Sequence, residues 1–242
     1  MVCSIAPMNA AVSTLRALLA PRSTATPPSC WLIVALIVFG LIIDQHVRLW
    51  GQAAVSLAAW TMLLYWVARS ATTTRINLIA CVIYASLGEI FLSLVWGLYD
   101  YRLGNIPLFV PPGHALLFAL GVTLAARLPD WITIAVPVAT APVVIGLAWI
   151  GSDTLGPPLF ALLLACMLLS KARKLYAVMF MLALAMEIYG TALGNWTWSR
   201  EVPWLGLATL NPPLAAGAFY CVLDLLVMGA AFLLKRRSAV AG

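Results

Sequence analysis

The chain has 242 residues, of which 64% are hydrophobic and 9% are charged. Soluble globular domains are about half apolar and about a quarter charged, so this composition excludes an ordinary soluble protein and predicts an integral membrane protein. The formal net charge of +6 does not indicate nucleic-acid binding, because the 14 basic residues are scattered between apolar runs and form no basic stripe.

The first 28 residues differ from the rest of the chain. They contain Arg16, Arg22 and the segment STATPPS, and they lack the basic start and small-residue cleavage site of a signal peptide. We predict that residues 1–28 form a partly disordered cytoplasmic tail.

Charged residues, glycines and prolines divide the remaining chain into apolar segments. A helix needs about 20 mostly apolar residues to cross the hydrocarbon core of a bilayer. Eight transmembrane helices are predicted near residues 29–45, 51–68, 76–98, 111–127, 131–150, 157–170, 175–195 and 211–234. The first and sixth segments are short, so seven crossings remain an alternative. Residues 235–242 are predicted to form a basic cytoplasmic tail.

The distribution of basic residues predicts the orientation. With the N-terminus in the cytoplasm, only Arg48, Arg102 and Arg200 of the 14 Lys and Arg residues fall in outer loops. Because cytoplasmic loops carry the excess of Lys and Arg, both termini are predicted to be cytoplasmic. This orientation favours a multi-pass protein of a bacterial-type inner, or plasma, membrane.

Pro-Pro motifs mark the outer ends of three predicted helices. They are GPPLF from Gly156, VPPGH from Val110 and NPPLA from Asn211. Proline suits the first turn of a helix, because the N–H that it lacks would have no intrahelical partner there. Each motif therefore predicts the start of an inward-running helix.

The second half of the chain repeats features of the first. GEIFLSLVWGLYDYR matches MEIYGTALGNWTWSR, so that Glu89 corresponds to Glu187. An even number of predicted crossings separates the copies, which gives both the same orientation. We therefore predict an all-α fold built from a direct repeat of two four-helix units, residues 29–127 and 128–234.

Four titratable residues are the catalytic candidates. Glu89 lies roughly 20 Å from the inner surface by helix rise, and Glu187 lies at nearly the same depth. A charge near the middle of a membrane costs at least ~2.5–3.5 kcal/mol and normally faces the bundle interior or a wet cavity. Asp224 shares a helix face with Tyr220, and we expect Asp224 and Glu187 to share one site. His114 is the fourth candidate, and an ordinary polar cap is its alternative role.

Aromatic and polar side chains near these acids are the substrate-binding candidates. They are Tyr99, Tyr101, Trp196, Trp198, Tyr220 and Asn211. The two tyrosines and two tryptophans that follow the glutamates have a second interpretation, as interfacial aromatics that anchor helix ends at the headgroup level. We expect the charged residues next to them, Asp100, Arg102, Arg200 and Glu201, to form solvated loop pairs.

No metal or other cofactor is predicted. Asp44, His46 and His114 contain ligand atoms, but they lack the helical spacing of a metal site. No nucleophile elbow, zinc-protease motif, phosphate-binding loop or nucleotide fingerprint is present.

The favoured hypothesis is a membrane-embedded enzyme that performs acid–base chemistry on an apolar lipid, such as an isoprenoid. A proton- or cation-coupled transporter and a structural assembly protein are the alternatives, so the sequence leaves enzymatic activity undecided. Intramembrane acids beside aromatic rings resemble the sites of polytopic enzymes of carotenoid and terpenoid maturation, but no motif matches residue by residue and no family is assigned. Membrane lipids are the expected partners, and the oligomeric state stays open.

Overall fold

The computed structural model describes residues 29–240, without the side chains of residues 48–49 and 234–240. The predicted N-terminal tail, residues 1–28, lies outside the described residues. The described chain is mostly helical and forms eight α-helices, as predicted: α1 (Cys30–His46), α2 (Arg48–Arg69), α3 (Thr72–Glu89), α4 (Val110–Arg127), α5 (Ile132–Trp149), α6 (Gly156–Leu169), α7 (Arg173–Leu193) and α8 (Gly217–Val240). A π-helical segment, Ile90–Val95, continues α3.

Four of these helices are long and apolar enough to cross a membrane. They are α2 from Trp50, α3 with its π-helical continuation, α5 and α7. Helices α1 and α6 and the first part of α8 are apolar but shorter. The length and composition of these helices therefore support a membrane protein in which several helices could cross the bilayer.

The Pro-Pro motifs start two of the three helices as predicted. Pro111 and Pro112 lie in the first turn of α4, and Pro157 and Pro158 lie in the first turn of α6. Both helices use proline where the missing N–H costs no intrahelical hydrogen bond.

The third motif does not start a helix, and the predicted start of α8 near residue 211 is wrong. Helix α8 begins at Gly217 and continues to Val240, through most of the predicted basic tail. Asn211 Oδ1 accepts a hydrogen bond from Trp198 N, and Leu214 N donates to Asp153 Oδ2. These bonds to other parts of the chain hold residues 211–216 as a loop.

Two short antiparallel strand pairs join the helix ends. Strand β1 (Tyr99–Tyr101) pairs with β2 (Trp196–Trp198), and β3 (Glu201–Val202) pairs with β4 (Leu207–Ala208). In the first pair, each strand has its two aromatic side chains buried and its central residue exposed. The segments that follow the two matched glutamates are thus hydrogen-bonded to each other.

The centre of the bundle is a ring of four helices. Helix α3 packs on α4, α4 on α7, α7 on α8, and α8 on α3. The α1–α2 pair covers α4, and the α5–α6 pair covers α7 and α8. The contact between α7 and α8 is close, because a Cβ at Gly217 would lie 2.4 Å from the carbonyl oxygen of Phe180. The ends of α3 and α7 therefore meet at the centre, next to the paired strands.

Candidate functional site

Glu89 ends α3 inside the ring and is buried. Its Oε2 accepts hydrogen bonds from the hydroxyls of Tyr99 at 2.8 Å and Tyr101 at 2.6 Å. Its Oε1 lies 3.0 Å from Nε2 of His114, which is in the first turns of α4. All of the hydrogen-bonding side chains around this carboxyl come from the first half of the chain.

Glu187 occupies the matching position on α7 and is also buried. Its Oε2 accepts the indole N–H groups of Trp196 at 2.7 Å and Trp198 at 3.0 Å. Its Oε1 accepts the hydroxyl of Tyr220 on α8 at 3.1 Å. Each glutamate therefore binds two aromatic side chains of the strand that follows its helix, and one side chain of the next helix.

The alternation of side chains between the two faces of each strand explains this geometry. Side chains two residues apart in a strand lie on the same face, so both aromatic residues of a strand point toward one carboxyl. Gly194 ends α7 in the left-handed conformation (φ 82°), which turns the chain back into β2. A Cβ at Gly190 would lie only 2.0 Å from the ring of Trp196, so glycine there lets the indole reach Glu187.

Two aromatic contacts join the halves of the site. The imidazole of His114 stacks on the ring of Tyr220, with centroids 4.9 Å apart and planes 25° apart. The rings of Tyr99 and Trp198 are 4.8 Å apart. The Nδ1 atom of His114 is buried and has no hydrogen-bond partner among the described residues.

Two cavities share this cluster as a wall. The first has about 80 Å³ and is lined mainly by apolar residues of α1, α2 and α4. The second has about 60 Å³ and is lined mainly by apolar residues of α3 and α8. Five side chains border both: Glu89, Tyr99, His114, Glu187 and Tyr220. An apolar molecule in either cavity would contact both glutamates.

A larger cavity, of about 360 Å³, lies between α2, α3 and α4. Its polar lining consists of neutral side chains, Ser70, Thr74, Asn77 and Thr123. Because no acid or base lines it, it offers no groups for proton transfer.

Asp224 is separated from this cluster, and the expected pair with Glu187 is not formed. Asp224 lies one helical turn beyond Tyr220, an axial rise of ~6 Å, and borders neither of the two cavities. It is fully buried, and within residues 29–240 neither of its carboxyl oxygens has a hydrogen-bond partner. The acid that borders the same two cavities as Glu187 is Glu89.

The aromatic candidates are buried at the site. Tyr99, Tyr101, Trp196 and Trp198 are each at most 8% exposed and bind the glutamates. Asn211 borders neither cavity, and its contact with Trp198 N makes it a residue that holds β2 in place.

A buried ion pair that the sequence analysis missed anchors the paired strands. Arg102, which was expected in a solvated loop pair, contacts Asp44 Oδ1 at 3.4 Å and also donates to the Asp44 carbonyl oxygen. Asn195 donates to Asp44 Oδ2 at 2.7 Å. The signal available in the sequence was an aspartate at the end of an otherwise apolar segment.

In the part of the chain that the structure describes, no group of three or more His, Cys, Asp or Glu side chains could hold a metal ion. Asp44 and His114 belong to different clusters. Comparisons with protein-family models, with curated proteins and with solved structures found no match to this chain.

Proposed function

We propose that this protein is a membrane-embedded enzyme that performs acid–base chemistry on an apolar lipid, with isoprenoids as the favoured class. The observation that carries the proposal is the Glu89–His114 pair, which lies in the shared wall of two apolar cavities. Buried carboxyls and imidazoles that border a cavity are typical of proton-transfer sites.

His114 is the proton-exchanging group of the proposed mechanism. If Nε2–H donates to Glu89 Oε1, the lone pair of Nδ1 is left free to accept a proton. The carboxylate of Glu89 then holds the tautomer and balances the charge of the protonated ring. This arrangement of carboxylate and imidazole supports general acid and general base roles for one residue pair.

The surrounding rings suit a cationic intermediate. The faces of tyrosine and tryptophan attract cations, and four such rings surround the carboxyls. A proton added to one carbon of a double bond leaves a cation on the other carbon. Loss of a proton from the next carbon along the chain then shifts the double bond by one position. The C–H electron pair becomes the new double bond, so the reaction needs no oxidant and no co-reactant.

We further propose the membrane arrangement predicted above, with eight crossings, a four-plus-four direct repeat and both termini in the cytoplasm of a plasma membrane of the bacterial type. The matched contacts support the repeat, because each glutamate binds two aromatic side chains of the strand that follows its helix and one side chain of the next helix. Single-cysteine labelling should find the loop at Arg102 outside and the loop at Arg75 inside. The opposite labelling pattern would reverse the proposed orientation.

Lipid analysis tests the enzymatic proposal. Lipid extracts from cells that express the wild-type protein should contain a product that is missing from cells without it and from cells that express Glu89→Gln. Glu201→Gln is the matched control, because Glu201 is exposed and borders neither cavity. Identical mass spectra for the wild-type and Glu89→Gln cells would contradict the proposal.

A proton- or cation-coupled transporter is the second candidate, and Asp224 is the observation that favours it. Asp224 and the hydroxyl of Tyr176 are fully buried and lack hydrogen-bond partners among the described side chains. Unpaired acids inside a helical bundle are typical of ion pathways. Purified protein in liposomes should then collapse an imposed pH gradient, and Asp224→Asn should block that flux. A structural assembly role would instead leave both lipids and gradients unchanged.

A further inference from the structure

The two cavities of the site adjoin at their five shared side chains and otherwise have different walls. The first, here called the α4 chamber, includes Gly113 in its lining, and the second, the α3 chamber, includes Gly88. Trp196 borders only the α4 chamber and Trp198 only the α3 chamber. The carboxyls therefore lie between two apolar spaces rather than at the closed end of one.

The volumes restrict what the chambers hold. About 80 Å³ and about 60 Å³ each take a few groups the size of a water molecule. A short length of hydrocarbon chain fits each space, so a long chain places only part of its length there. Because the two volumes are similar, a chain that filled only one of them would leave a comparable apolar space empty.

We propose that the substrate is an elongated apolar chain whose middle occupies both adjoining chambers, next to Glu89 and Glu187. The reacting position is then inside the chain rather than at its end. This inference rests on the proposed function for the role of the wall, but chain binding can be measured without any turnover.

Two glycines make the chambers separately testable. A Cβ at Gly113 or at Gly88 would meet no heavy atom within 4 Å, so a larger side chain can be placed at either lining position without displacing the protein. Gly146 on α5 has the same open surroundings, is exposed and borders neither chamber. Gly146→Leu is therefore the matched control for Gly113→Leu and Gly88→Leu.

The experiment is saturation binding of radiolabelled geranylgeraniol, with oleyl alcohol as a parallel probe, to purified protein in nanodiscs. Gly113→Leu and Gly88→Leu should each weaken binding by about tenfold or more, since each excludes at least two methylene-sized groups from burial. Gly146→Leu should bind as the wild type does. The probe with the lower Kd shows whether the site prefers an isoprenoid chain or an acyl chain.

A loss of binding in only one of the two variants would overturn the proposal, because the chain would then occupy a single chamber. Binding of neither probe by the wild type would overturn it as well. Glu89→Gln separates this inference from the enzymatic proposal. If that variant still binds the chain but the lipid product persists in cells, the enzymatic proposal fails while the two-chamber site stands.

A second measurement needs no variant and so does not depend on folding. Geranylgeraniol with a diazirine at mid-chain should label peptides that contain Glu89 or Glu187 after irradiation. A probe with the diazirine at the end of the chain should not label these peptides, because the two chambers together hold only a few carbons of the chain. The reverse pattern, with the chain end at the glutamates, would overturn the proposal.

Discussion

Replacing Glu187 by leucine or by glutamine separates the two roles of this carboxyl. Leucine would leave the indole N–H groups of Trp196 and Trp198 and the hydroxyl of Tyr220 without their acceptor. A buried donor without a partner costs about 1–3 kcal/mol, so three would cost about 3–9 kcal/mol. Proteins of this size are stable by only about 5–15 kcal/mol, so Glu187→Leu should lose much of its stability.

Glutamine should preserve the fold. Its side-chain oxygen can accept both indole N–H groups, and its amide can donate to the oxygen of Tyr220, which has free lone pairs. Only the hydroxyl hydrogen of Tyr220 loses its acceptor, so we expect Glu187→Gln to lose about 1–3 kcal/mol, well below the loss expected for Glu187→Leu. Because Glu89 and His114 exchange the proton in the proposed mechanism, Glu187→Gln should keep most of its activity, and a loss of activity in a folded Glu187→Gln protein would add Glu187 to the proton-exchanging groups.

Thermal unfolding of the detergent-solubilised proteins, together with the lipid assay, tests both expectations. Glu201→Gln is a surface control for the loss of one negative charge. Equal melting temperatures for the leucine and glutamine variants of Glu187 would refute the hydrogen-bond argument. A Glu187→Gln protein that folds and stays fully active would show that this carboxyl is structural only.

Three further predictions concern the surroundings of the site. Gly190→Ala should displace the ring of Trp196, which would be 2.0 Å from the new Cβ, and should lower both melting temperature and activity; an unchanged melting temperature would contradict this. Asp44→Ala should cost about 1–3 kcal/mol in unfolding measurements, because Arg102 keeps its bond to the carbonyl oxygen of residue 44 but loses the carboxylate, and Asp44→Ala with Arg102→Met should recover part of the loss. Burial raises the pKa of Asp153, in the loop before α6, so ionisation destabilises the fold there; the wild type should lose stability relative to Asp153→Asn as pH rises from about 4 toward neutral, and a pH-independent difference would refute it.

The helices could be predicted from the sequence because they depend on local information. Runs of apolar residues predict helices of spanning length, and prolines at the start of α4 and α6 set their ends. The start of α8 was mispredicted because the residues that hold the preceding segment as a loop are distant from it in the sequence. The proline segment at Asn211 makes hydrogen bonds to β2 and to the loop before α6, and these partners cannot be read from the motif itself.

The glutamates could be singled out from the sequence, but their partners could not. Their matched positions and intramembrane depth marked Glu89 and Glu187 as one pair. The strands that supply their hydrogen-bond donors have three residues each and pair across almost a hundred positions of the chain. Such short strands carry too little pattern to be recognised alone. The same is true of Arg102 and Asp44, whose contact joins residues 58 positions apart.

The two halves of the site use the same scaffold with different chemistry. Tyr99 and Tyr101 hold Glu89 through hydroxyls, which can either donate or accept a hydrogen bond. Trp196 and Trp198 hold Glu187 through indole N–H groups, which can only donate. A proton on Oε2 of Glu187 would face two donors, whereas a proton on Oε2 of Glu89 can be accepted by a tyrosine that turns its own hydroxyl. The network around Glu187 can adjust only through Tyr220 at Oε1, whereas the network around Glu89 can adjust at both oxygens, through two tyrosines and His114, which is why we give the proton-exchanging role to Glu89 with His114.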